Sequence, residues 1–460
     1  MSLSNEQLLL LDALVYYSKF SDNIQSDVES NTIQSFISKI KNHKDDYKTI
    51  FNGALGYTDS ELGMDKIIEL IDNDAVLKRL IIVYPNNKGD KTTSSVCLVD
   101  PLTSEVYVIY VGNYVAENYQ YWTDENDKID LNSWVSNATG AVEADTAEQK
   151  RDLDFYEDAI AAARDFLKNQ DGDLNITVSG HSTGGNHAQY VTTVYKETMG
   201  ENYNEINDID RCVSFDGQGF SNAFLEKYSD DIKERADKIT SYCPAISIVG
   251  ALMNDIPGIE QKYIDIGNPE AIMIGLHMPA ELLDENGNFK EEGLPGAAYI
   301  LLKAYSTSTV AITEKLSWVD EENATKGFGE FLNSVFNGGS IQDSAKHIAQ
   351  NKDAIALIGV LATEIAITWN FSNEFVVVYE VKNEIDNTIL NIRDLLDSGD
   401  TAKAAEKGCE CIFKIVSALT MYSFTRQLGN PIPEAVGFTV GWELGEDIFA
   451  DSKFLFKKIK

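Results

Sequence analysis

The chain has 460 residues and a formal net charge of −35, from 38 Lys and Arg against 73 Asp and Glu. So acidic a surface repels phosphate backbones and anionic membrane surfaces, which argues against nucleic-acid binding and against electrostatic docking to lipid. The length supplies apolar material for about two or three domains. Its five cysteines (Cys97, Cys212, Cys243, Cys409 and Cys411) lack zinc-ligand spacing, so neither a disulfide framework nor a metal site is expected.

The amino end, Met1-Ser2-Leu3-Ser4-Asn5-Glu6, carries no basic segment, and the run Leu8-Leu9-Leu10-Leu11 is broken at once by Asp12. No cleavable signal peptide is expected, which points to a cytoplasmic protein or to export by a route that needs none. Helical spacing of apolar residues follows over 8–20 and 33–40, and a third helix is expected over 64–80. The runs 95–99 and 106–111 read as strands, with Asp100-Pro101-Leu102-Thr103-Ser104 as the turn between them. A long helix is expected over 147–168, stopped by a polar stretch that contains Gly172. Further strands are expected at 175–179, 212–215 and 239–249, with Cys212 and Cys243 buried in them. Strands alternating with helices imply a mainly parallel sheet with helices on its faces, and reactive groups in such sheets collect at the carboxyl ends of the strands.

From about residue 350 the pattern changes to apolar helical periodicity over 354–369, 375–396 and 404–424. The most apolar of these stretches, 354–369, contains Glu364 and is short for a membrane span. Gly437, Gly441 and Gly445 recur every fourth residue, a spacing that permits close helix approach. The expected organisation is therefore a catalytic-type domain over 1–345 and a helical appendage over 346–460. The appendage either packs within the molecule or serves as a partner-binding, delivery or membrane-contacting module, and its pattern leaves both open.

The most specific signal lies between the strand ending at Ser179 and a helical stretch from Asn186. Gly180-His181-Ser182-Thr183-Gly184 is a Gly-x-Ser-x-Gly turn, followed by Gly185. Such a turn lifts the serine hydroxyl above the sheet edge, needs small residues two before and two after it, and aims helix-start N–H groups at negative charge developing beside it.

At these residues the chain resembles the class 3, or fungal-type, lipases, and in particular a bacterial lipase-like branch of that superfamily. The resemblance rests on the elbow, on Phe215-Asp216-Gly217-Gln218-Gly219-Phe220, on Ser247-Ile248-Val249-Gly250 and on Leu276-His277. It implies an α/β-hydrolase fold and hydrolysis of carboxylic esters, acyl lipids foremost, with no cofactor. A neutral serine needs a base to take its proton and a carboxylate to orient that base. Of the five histidines, His181 lies in the elbow, His187 on the following helix, His43 in a charged segment and His347 late in the chain. His277 is the expected base, in the order Ser, Asp, His usual for the fold.

Class 3 lipases place the acid after the next-to-last core strand, where this chain has Ser247. Asp216, after the strand that follows the elbow, is the preferred acid, with Asp255 and Asp265 as alternatives. The oxyanion is expected to meet the backbone N–H of Thr183 and a donor at Asn113, where the resembling lipases read Gly-Thr. The same resemblance implies a lid over the interval that holds Tyr114, Tyr119, Tyr121, Trp122 and Trp134; whether these aromatics line an acyl groove or pack the loop stays open. The alternative of a different class is a hydrolase-like binding or secretion-associated delivery protein that keeps the elbow without turnover.

Overall fold

The computed structural model describes residues 2–16, 28–42, 64–85, 95–112, 140, 143–169, 172–247, 249–266, 277–295, 299 and 303, with 391, 394, 395, 398, 403 and 407 further on. The chain divides into two compact units, one of Met1–Ser133 with Ala144–Lys303, the other of Trp134–Glu143 with Ala304–Lys460. In the second, Asn391, Asp394 and Leu395 are helical, and the Ser398 N–H donates to the Asp394 carbonyl at 3.1 Å. The boundary expected at 345/346, the helix at 354–369, the glycine repeat from Gly437, Cys409 and Cys411 lie outside the described residues, as do His43, His347 and the aromatic interval from Tyr114 to Trp134.

The first unit is built on one sheet of eight strands in sequential order: β1 (Ile81–Pro85), β2 (Val96–Val99), β3 (Glu105–Tyr110), β4 (Asn175–His181), β5 (Arg211–Phe215), β6 (Ile239–Pro244), β7 (Glu260–Ile264) and β8 (Glu292–Gly293). The pairings from β3 to β7 are parallel, whereas β1, β2 and β8 join antiparallel at the two margins. This is an α/β-hydrolase sheet. Strand residues alternate between two cores: Val106, Val108 and Tyr110 face one, Tyr107 and Ile109 the other. A period of two with both faces apolar is the mark of a sheet covered on both sides.

A strand order that advances in one direction, joined by right-handed crossovers, puts every crossover helix on one face. There lie α5 (Ala147–Leu167), α6 (Thr183–Met199), α7 (Asn222–Lys227) and α8 (Ser229–Arg235), whose Phe155, Tyr156, Val191, Phe224 and Ile232 share a core with Val106 and Val178. The opposite face must be covered by something else. It is covered by α1 (Asn5–Leu14), α2 (Ile33–Asn42) and α3 (Met64–Asn73), with Leu11, Phe36 and Ile71 packed in one core with Tyr107, Ile109 and Phe215. Helix α1 starts at a capping box in which the Ser4 Oγ accepts from the Gln7 N–H at 3.2 Å and the Ser4 N–H donates to the Gln7 side chain at 2.9 Å.

Several expectations needed correction. The helix expected over 64–80 is two helices, because the Asp74 carboxylate caps the N–H groups of Val76 and Leu77 at 2.7 and 3.0 Å and starts α4 (Ala75–Arg79) afresh. Helix α5 stops at Lys168, in left-handed conformation with φ 52°, and Gly172 lies beyond, its N–H bonded to the Asn169 side chain. The strand expected over 239–249 ends at Pro244, whose carbonyl accepts the Ser247 N–H and turns the chain out of the sheet. Strands β1, β7 and the two-residue β8 are not among the expected strands. Ile81-Ile82-Val83-Tyr84 had a legible β-branched signature, while Glu260-Gln261-Lys262 is polar and partly exposed and carries little.

Candidate active site

Strand β4 delivers Ser182 to the sheet edge. The Ser182 N–H still donates to the Phe215 carbonyl at 2.9 Å, one step beyond the last β4–β5 pair, and the chain then turns with Ser182 at φ 62° and ψ −132°. That left-handed φ costs a non-glycine residue about 1–3 kcal/mol, held in place by the strand on one side and the helix on the other. Gly180 and Gly184 make the turn sterically feasible: a Cβ on Gly180 would drive into the Gly184 carbonyl, and one on Gly184 into the Tyr110 carbonyl of β3. Ser182 is partly exposed, and Thr183 opens α6 directly after it.

The neighbouring strand supplies the carboxylate. The Asp216 N–H donates to the Tyr242 carbonyl at 2.7 Å, continuing the β5–β6 ladder, and Asp216 too adopts a positive φ, 49°. Ser182 and Asp216 thus sit in strained conformations at the ends of adjacent parallel strands. His277 bridges them, with Nε2 2.7 Å from the Ser182 Oγ and Nδ1 2.7 Å from the Asp216 Oδ2. The Asp216 side chain is 2% exposed and that of His277 19%, so the pair is closed to solvent at the carboxylate and open at the base.

The second oxygen of Asp216 is held as well as the first. Its Oδ1 accepts from the Ser247 hydroxyl and from the Gly250 N–H at 3.1 Å. The loop that carries these donors is pinned in turn: the Gly250 carbonyl accepts from the Tyr299 hydroxyl at 3.0 Å and the Lys303 ammonium at 3.3 Å. Beside Asp216, the Gly219 N–H donates to the Leu252 carbonyl at 2.9 Å and the Phe220 N–H to the Asn254 carbonyl at 2.7 Å, which lace the 216–220 loop to the 250–254 loop. On the far side, Asn186 of α6 donates to the Gly219 carbonyl at 2.8 Å and accepts from Gln149 of α5 at 2.8 Å.

The two alternatives lie on other segments. Asp255 forms an ion pair with Lys303 at 2.6 Å, and Asp265, just past β7, donates its main-chain N–H to the Glu291 carbonyl at 2.8 Å. Ser182, His277 and Asp216 are therefore brought together, Thr183 stands at the start of α6, and Asn113 lies outside the described residues.

Residues 145–312 match the Mbeg1-like family. That stretch contains Ser182, Asp216, Ser247 and His277. No curated protein matches the chain. Among solved structures, the crystal structure of M37 lipase aligns at 13% identity over 54% of this chain and 70% of its own, with a TM-score of 0.31. A mutant form of MDLA from Penicillium cyclopium aligns at 14% identity over 64% and 94%, with a TM-score of 0.34. A structure described as a fungal lipase gives 13%, 64%, 93% and 0.33 in the same order. At these values the structural likenesses bear on no individual residue. The family match covers 168 of the 460 residues, less than half of the chain.

Sequence reading missed the residues that surround the three. Ser247 stands where the resembling lipases carry the acid, and its hydroxyl donates to the Asp216 carboxylate one strand earlier. Tyr16, just beyond α1, sends its hydroxyl to within 3.0 Å of the His181 Nδ1 beneath the elbow. No local motif marks either contact, since both join segments far apart in the chain. His187, on the helix that follows the elbow, pairs with the buried Asp152 of α5 at 2.7 Å. Burial alone would lower its pKa, but Asp152 and Glu148 outweigh that and raise it. Among the described residues, no helix is long and apolar enough to cross a membrane and no His, Cys, Asp or Glu cluster could hold a metal ion.

Proposed function

We propose that this lipase-like protein is a serine carboxylester hydrolase acting on acyl esters, lipid esters foremost, through Ser182 as nucleophile, His277 as base and Asp216 as orienting acid. The observation that carries the reading is the single histidine ring bonded at 2.7 Å to both the Ser182 hydroxyl and the Asp216 carboxylate.

A carboxylate oxygen can only accept, so the His277 Nδ1 carries the hydrogen and its Nε2 presents a lone pair to Ser182. That is the tautomer required of a general base. As the Ser182 Oγ attacks an acyl carbon, its proton passes to the His277 Nε2, and the imidazolium so formed lies against the Asp216 carboxylate. The carbonyl oxygen gains negative charge beside the start of α6, where the Thr183 N–H is the proposed first donor and Asn113 the second. His277 then gives its proton to the leaving alkoxide, and a water attacking the acyl-enzyme repeats the sequence with Ser182 as leaving group. The acyl-lipid preference follows the lipase-like resemblance. Any lipid-surface contact would be apolar rather than electrostatic, given the net charge of −35.

The test is turnover of a short p-nitrophenyl ester by the full chain and by Ser182→Ala. Loss of nearly all hydrolysis with an unchanged melting temperature supports the reading; hydrolysis near the wild-type rate in the variant overturns it.

A further inference from the structure

The side of the elbow away from Asp216 carries a second hydrogen-bond chain. His181 is the last residue of β4, 2% exposed, and its ring lies 4.6 Å from that of His277, centroid to centroid. Its Nε2 is 2.6 Å from the main-chain carbonyl oxygen of His277, and its Nδ1 is 3.0 Å from the Tyr16 hydroxyl. The same hydroxyl oxygen accepts the Gly112 N–H at 3.1 Å. Gly112 is pressed against the nucleophile so closely that a Cβ there would stand 2.8 Å from the Ser182 Cβ and 2.7 Å from the His181 carbonyl oxygen.

Elementary donor and acceptor rules place the protons along this chain. A carbonyl oxygen only accepts, so the His181 Nε2 carries a hydrogen. Full burial, and then the neighbouring His277, hold the His181 pKa well below its ordinary value, against the opposing effect of its bond to the His277 carbonyl. The ring is therefore neutral and Nδ1 is a lone pair. The Tyr16 hydroxyl must donate to it, in preference to the His181 carbonyl oxygen at 3.3 Å. Its oxygen is then left to accept from Gly112. The order is Gly112 N–H to Tyr16, Tyr16 O–H to His181, and His181 N–H to the backbone of the base.

We infer that Tyr16 and His181 are positioning residues that lock the backbone of His277 and the Gly112 segment to the Ser182 turn. The proposal deepens the reading of Ser182, His277 and Asp216 and rests on it. The side chain of His277 is fixed by Ser182 and Asp216, but those two bonds leave its main chain free to shift; the His181 N–H supplies that anchor. A neutral His181 also spares the His277 imidazolium a second positive charge against its face during turnover. The tautomer that supplies the anchor is held by a tyrosine that follows the N-terminal helix covering the other face of the sheet. Helix α1 is thereby part of the active-site framework.

Three measurements on the full chain test this. In the wild type, 15N-histidine NMR with His181 assigned by loss of its signals in His181→Gln should show the Nε2–H tautomer with an unprotonated Nδ1. Tyr16→Phe should lower kcat on a soluble ester by about ten- to hundredfold with KM within about threefold, since misplacement near 1 Å costs on that order. His181→Gln, whose amide offers both an acceptor and an N–H donor, should retain at least about tenfold more kcat than His181→Leu, on the order of one hydrogen bond. An Nδ1–H tautomer in the wild type would overturn the proposal whatever the variants do. So would a Tyr16→Phe kcat within about twofold of the wild type in protein whose Ser182 is still labelled by a fluorophosphonate. Absence of Ser182 labelling in the wild type would strike the nucleophile reading itself, and the proposal with it.

Discussion

Replacing Asp216 by Asn tests the proposed acid in a way the local geometry makes unusually sharp. An asparagine can in principle present either its oxygen or its amide nitrogen to His277. Here the choice is made by the other side of the group. The position of Oδ1 receives the Gly250 N–H at 3.1 Å and the Ser247 hydroxyl, and the first of these can only donate. The amide oxygen of the substituted side chain must therefore face Gly250, which turns its NH2 toward the His277 Nδ1. A donor there forces Nδ1 to become the acceptor and moves the imidazole hydrogen to Nε2. It then points at Ser182, 2.7 Å away, and cannot receive the serine proton. The substitution leaves shape and packing intact while inverting the tautomer. The corresponding change in a serine-protease triad lowers kcat by about 10⁴-fold, roughly 5.5 kcal/mol, and a loss of that order is expected here. The assay is kcat on p-nitrophenyl butyrate, with melting temperature as the check on folding. Asp255→Asn and Asp265→Asn should each stay within about tenfold of the wild type on the same scale. A folded Asp216→Asn protein that also stays within about tenfold would refute the reasoning and remove Asp216 from its role.

Ser247→Ala removes one of the two donors that hold the Asp216 Oδ1 and leaves the Gly250 N–H; kcat should fall about tenfold, consistent with one hydrogen bond to a charged group and far less than for Asp216→Asn. Asp12 lies fully buried on α1, and burial raises its pKa well above the usual value despite the hydrogen bond from Ser179 at 2.9 Å. Its folded pKa exceeds its unfolded one, so the stabilisation from holding the proton is complete below the unfolded pKa and is lost as pH rises through the folded one. Asp12→Asn, with no proton to lose, should gain stability in urea unfolding relative to the wild type as pH increases, by about 1.4 kcal/mol for each unit of elevation passed; a constant difference across pH would contradict this. Arg235 is 1% exposed and pairs with Asp208, which also receives Lys238 at 2.6 Å. Asp208→Ala removes the carboxylate that pairs with this buried guanidinium and should cost about 3 kcal/mol in urea unfolding, with esterase activity per folded molecule unchanged.

The catalytic-type elements were legible where local sequence dictates local geometry. Gly180, Ser182 and Gly184 announce a turn that few other conformations tolerate, and the β-branched and aromatic run Val106-Tyr107-Val108-Ile109-Tyr110 announces a strand buried on both faces. Asp216 could be placed at a strand end and preferred to Asp255 and Asp265 as the partner of His277, but the contact itself spans 61 residues and is closed only by the folded sheet. The same holds for Tyr16 and His181, 165 residues apart. The division of the 64–80 helix at Asp74 and the early end of β6 at Pro244 turned on a side-chain cap and a single main-chain turn. Periodicity averages over such features. The polar margin strand β7 was invisible for a different reason: its residues are partly exposed, so the burial that imprints alternation on a sequence is weak there.

The central claim is that the Ser182 hydroxyl is activated for acyl transfer by the His277–Asp216 pair. The most direct measurement is the site and rate of covalent modification when the full-length protein meets a fluorophosphonate, read by peptide mass mapping. The account predicts one adduct, on Ser182, absent from Ser182→Ala and formed at least about a hundredfold more slowly in Asp216→Asn, whose base carries the wrong tautomer. An adduct on another serine, or equal labelling rates in the wild type and Asp216→Asn, would contradict it.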